Sequence, residues 1–135
     1  MFTSIGFFIP AFFAAKLKKH FEKNIIRALA TTSVLYHGTV HPLAQFLDTC
    51  VAHFVAVRFV FIGIHDVLIY RRIHDVVTIA LSSASIYMYY MKSLRIHHKD
   101  VSQQWHMKVH ITAQLALLCY LNKHRLASQY EIELP

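Results

Sequence analysis

Ser33 and His37 stand four residues apart, as do His106 and His110, and on a helix that spacing puts both members of a pair on one face. Two imidazoles so placed can reach a single metal ion, which is why the pattern recurs in zinc enzymes. One pair alone is weak evidence. With eleven histidines in 135 residues accidental pairs are common, and His37 with His41 is another. Pro42, directly after His41, marks the end of that helix and makes His41 the poorer ligand. Asp48, His53 and Arg58 are ionisable groups inside apolar runs, where burial is costly and function is the default reading. For His53 and Arg58 the sequence offers no role. Three neutral imidazoles, from His37, His106 and His110, with a water in the fourth position would make the open zinc site typical of catalysis.

The elements that must position these residues are five apolar runs, over 2–15, 24–40, 43–64, 73–91 and 105–121. All five read as helices. The last three have the length of about 17–20 apolar residues that a spanning helix needs, and the first two are short. A chain 56% hydrophobic and 16% charged is too apolar for an ordinary soluble domain of its size. The expectation is an all-α integral membrane bundle of about five spans, forming one domain over residues 1–135. Three glycines and three prolines leave no linker or repeat. Gly38 and Pro42 mark a tight connection between the second and third runs. The run 2–15 has its lysines after it, not before, and reads as a retained span instead of a cleaved signal.

In an alternating five-span arrangement the end of the second run and the starts of the third and fifth lie on one side of the membrane. His37, Asp48, His106 and His110 can therefore share a site whichever way up the protein sits. Orientation follows from the basic residues. Lys16, Lys18, Lys19, Lys23, Arg27, Arg71, Arg72, Lys123 and Arg125, nine in all, fall on one side, against Lys92, Arg95 and Lys99 on the other. Positive charge inside predicts an outer or lumenal N-terminus and a cytoplasmic C-terminus.

At these residues the sequence resembles a known family. Ser33-Val-Leu-Tyr-His37-Gly-Thr39 followed by Gln45-Phe-Leu47-Asp48 resembles the second and third helices of the alkaline ceramidases. There a serine precedes a histidine by four and an aspartate follows it by eleven. His106-Met-Lys-Val-His110-Ile resembles the paired-histidine motif of their last helix, which recurs in the wider CREST superfamily with the progestin and adipoQ receptors. The resemblance implies a zinc ion held by His37, His106 and His110, with Ser33 and Asp48 assisting. It implies hydrolysis of a ceramide-like lipid amide, with Asp48 passing a proton and Ser33 donating a hydrogen bond to the oxyanion or the water. The family's bundle has seven helices, so two are missing here between Asp48 and His106. Removing a pair preserves the orientation of the last helix but takes away walls of the lipid pocket. No calcium site is carried over, because residues 1–10 hold no acidic segment. The resemblance covers about a third of the chain.

Other residues have plainer readings. Fourteen Lys and Arg against seven Asp and Glu give a net charge of +7; because the basic residues lie between apolar runs, membrane anchoring explains them better than nucleic-acid binding. Cys50 and Cys119 lie in apolar runs, where cysteine behaves as a small buried hydrophobe. His20, His65, His74, His97, His98 and His124 sit among loop charges and read as solvated or interfacial. Tyr87, Tyr89 and Tyr90 with Met88 and Met91 suit an aromatic belt, and the polar tail 128–135 is expected to fray. The rival functions are a haem- or quinone-binding membrane subunit, with histidines from two helices on one iron, a membrane di-iron oxygenase, which needs more clustered histidines, and a non-catalytic structural subunit. Protein partners, the organelle, the oligomeric state and the lipid headgroup are not legible.

Overall fold

The structure, a computed structural model, describes residues 2–39, 41–93, 95 and 99–132. It is 92% helical, with no strand among the described residues. Helices α1 (Phe2–Ile5) and α2 (Phe8–Lys16) form one leg. The other legs are α3 (His20–Thr39), α4 (Pro42–Tyr70), α5 (Ile73–Met88), which runs into a π-helical turn over Tyr89–Ser93, and α6 (Lys99–Ile132). Successive legs pack on one another, and α6 returns to α2, so the five close into a ring.

Helices α3, α4 and α6 are longer than their apolar runs because their polar ends stay helical. Pro42 starts α4 where its missing N–H costs nothing, and the His41 Nδ1 accepts from the Leu43 N–H at 3.2 Å. His41 is thus a helix cap. Arg71, in the left-handed region at φ 52°, ends α4 by donating its N–H to the Val67 carbonyl. The first leg differs from the expected single helix. It breaks at Gly6–Phe7, where a side chain on Gly6 would collide with the Gln114 amide. The tail also differs, since α6 continues to Ile132. His97, His98 and residues 133–135 lie outside the described residues.

The ring buries both apolar and polar residues and is apolar outside. Phe7, Ala11, Ile26, Leu29, Val55, Phe59, Leu117 and Leu121 make an apolar middle layer, but every buried residue of α5 is polar: Asp75, Thr78, Ser82 and Ser85. Outside, Phe46, Phe54, Val57, Phe61, Ile64 and Leu68 form an exposed stripe along α4 at helical spacing, with Leu68 74% exposed. Cys50 sits on this outer face and is exposed, contrary to its expected burial. Among the described residues α4 is the one helix both long and apolar enough to cross a membrane.

Below the apolar layer, a second set of charges ties the legs together. Lys123, expected as a free basic residue of the tail, is 4% exposed and donates to Asp66 and, at 2.6 Å, to Asp75. Arg58 lies 3.5 Å from Glu22 and covers the Phe21 ring at 4.3 Å, which gives this residue its partners. His124 meets the Tyr120 ring edge-on at 4.8 Å with a buried Nε2, so of the solvated and interfacial readings the solvated one does not hold. His65, by contrast, is exposed and meets Asp66 at 3.1 Å.

Candidate metal centre

Because the legs alternate in direction, the end of α3, the start of α4 and the start of α6 meet at one end of the ring. His37, His106 and His110 come together there. One ring nitrogen of each lies within 4.8 Å of the others. The His106 and His110 Nε2 atoms are 3.1 Å apart, and the His37 ring centroid is 5.2 Å from His106 and 5.3 Å from His110. The His37 Nε2 is buried with no hydrogen-bond partner. Three inward nitrogens without an acid between them are poorly satisfied by one another. They fit a cation.

The far nitrogens of two rings are held by hydroxyl groups. The His110 Nδ1 has Ser4 Oγ and Thr3 Oγ1 each at 3.4 Å, and the His106 Nδ1 has Ser93 Oγ at 3.5 Å. Such outer partners fix ring orientation and leave Nε2 for the ion. Ser33, 1% exposed, donates to Ser4 Oγ at 3.0 Å. It therefore acts on His110 through Ser4. Gln114 donates to the Thr3 carbonyl, which pins α1 over the site.

Asp48, 7% exposed, accepts from Thr32 Oγ1 at 3.2 Å. It lines the same cavity as Ser33 and the three histidines. This cavity, about 560 Å³, is lined both by polar residues, the histidines, Asp48, Ser33 and the α5 serines, and by apolar ones such as Leu29, Val55, Phe59 and Leu117. Its size and mixed lining are those of a small-molecule site. All five residues singled out from the sequence thus contribute to one cavity.

Sequence reasoning missed Thr3, Ser4, Thr32 and Ser93. The hydroxyls of Thr3 and Ser4 in an otherwise apolar run were the available signal for the first two. Asp75, Thr78, Ser82 and Ser85, spaced three and four apart, were a second signal, a polar stripe that marks the inner face of α5. Tyr89 and Tyr90 line the cavity and do not simply join Tyr87 in an outer belt. Compared with protein-family models, curated proteins and solved structures, the chain matches none.

Proposed function

We propose that the chain is a zinc-dependent intramembrane hydrolase acting on a ceramide-like lipid amide, as its resemblance to the alkaline ceramidases implies. The observation that carries this reading is the convergence of His37, His106 and His110 in the wall of a cavity that Asp48 also lines. His37, His106 and His110 would hold the ion. Bound zinc would polarise the amide carbonyl and acidify a water towards a pKa of about 7. Asp48 would take the proton from that water and return it to the leaving amine, with Thr32 steering its carboxylate. Ser33 and Ser4 would orient His110.

The membrane setting is part of the proposal. Charged and hydroxyl side chains buried among the helices, with Phe, Leu, Ile and Val exposed outside, are the arrangement that lipid favours and water does not. Five spans would put the metal centre near the outer or lumenal face and the basic residues, eight once the buried Lys123 is removed from the nine, at the cytoplasmic face. Label access to the tail from the outer face would overturn that orientation.

The test is zinc content beside hydrolysis of a panel of N-acyl lipids. His110→Ala should lose both. Asp48→Asn keeps the shape but cannot act as a base, so zinc should remain while turnover falls by roughly 100-fold or more. A parent protein that binds zinc and cleaves no amide would end the hydrolase reading, and a Soret band would favour haem.

A further inference from the structure

Between Tyr89 and Ser93 the helix widens into a π turn, a rare form that concentrates at functional sites. In an α-helix consecutive side chains diverge by about 100°. Here the consecutive Tyr89 and Tyr90 both line the cavity, and Ser93 stands beside His106. Across from them on α4, the His53 Nδ1 lies 2.6 Å from the Thr49 carbonyl oxygen. A carbonyl only accepts, so the proton is on Nδ1, and in the neutral ring Nε2 is an acceptor. The Tyr90 hydroxyl therefore donates to the His53 Nε2. Its oxygen keeps lone pairs free, made better acceptors by the bond it donates. Tyr90 is 44% exposed, so a ligand can reach it. Tyr89 links the pair to the metal centre, its ring 5.7 Å from His53 and 6.2 Å from His106. No lysine or arginine is among the described residues lining the cavity, so apart from the proposed ion a phosphate there would meet no fixed cation.

We infer that Tyr90, oriented by His53, is the specificity-determining acceptor that reads a headgroup hydroxyl a few bonds from the scissile amide, and that the cavity excludes headgroups carrying phosphate. This rests on the reading of the cavity as a lipid-amide site. The pair acts on substrate choice and not on the metal.

The test is equilibrium binding to zinc-depleted protein in detergent micelles. The probes are three fluorescent N-acyl lipids with the same chains: one with a headgroup hydroxyl, one without it, and one with the hydroxyl phosphorylated. The parent should bind the hydroxylated lipid about 2- to 12-fold tighter than the deoxy lipid, since one hydrogen bond is worth about 0.5–1.5 kcal/mol and 1.4 kcal/mol is tenfold. It should bind the phosphorylated lipid no better than the deoxy lipid. Tyr90→Phe should remove the preference by weakening only the hydroxylated lipid, and Tyr87→Phe, outside the cavity lining, should keep it. An equal preference in Tyr90→Phe, no preference in the parent, no binding of any probe, or tighter binding of the phosphorylated lipid would each overturn the inference. Hydrolysis is assayed separately with zinc restored. A preference without hydrolysis sinks the hydrolase reading alone, and hydrolysis without a preference sinks this one alone.

Discussion

The hydroxyls behind His110 offer a graded test of the metal centre. The His110 Nδ1 has Thr3 Oγ1 and Ser4 Oγ at the same 3.4 Å, a long separation for either bond, so the two share one job. Loss of an outer hydrogen-bond partner costs about 10- to 100-fold in metal affinity. Ser4→Ala leaves Thr3 in place and should weaken zinc by less than about 10-fold. Thr3→Val with Ser4→Ala removes both partners, and the full effect of about 10- to 100-fold should appear, or about 1.4–2.7 kcal/mol. His110→Ala removes a ligand and should exceed both. The Ser4 change also strips the buried Ser33 hydroxyl of its acceptor, a stability cost of about 1–3 kcal/mol, so thermal unfolding of the zinc-free variants is measured alongside. The assay is competition for zinc against a chromophoric chelator in detergent. A double variant with the parent's affinity, or His110→Ala with a full zinc complement, would refute the reasoning.

Two further predictions concern stability. Lys123→Met leaves the buried Asp75 and the partly buried Asp66 without their shared cation and should cost about 3–5 kcal/mol. Adding Asp75→Leu should restore part of this, and a single variant with unchanged unfolding in detergent would contradict the pairing. Gly63→Ala would set a methyl 2.6 Å from the Ile79 Cγ1 and force α4 from α5, at about 1–3 kcal/mol; Ile79→Ala in the same chain should relieve the strain, read as a recovered Tm.

The sequence by itself determined the helical class and the two ends of the site. Apolar runs bounded by polar residues leave the backbone few options but helix. The spacing of Ser33 with His37 and of His106 with His110 fixes each pair on one face before any packing is known. Alternation of direction along the chain was enough to bring His37, Asp48, His106 and His110 to one end. What remained for tertiary structure was everything set by contacts between distant segments. Ser4 meets His110 across 106 positions and Lys123 meets Asp75 across 48, and no local pattern encodes those pairings. Lys123 shows the difference plainly: a lysine after an apolar run reads as a solvated charge, and only two carboxylates supplied by α4 and α5 make its burial tolerable. His53 and Tyr90 are alike in this. His53 stands out in its run as an ionisable group, but its meeting with Tyr90 spans 37 positions and no local pattern encodes it.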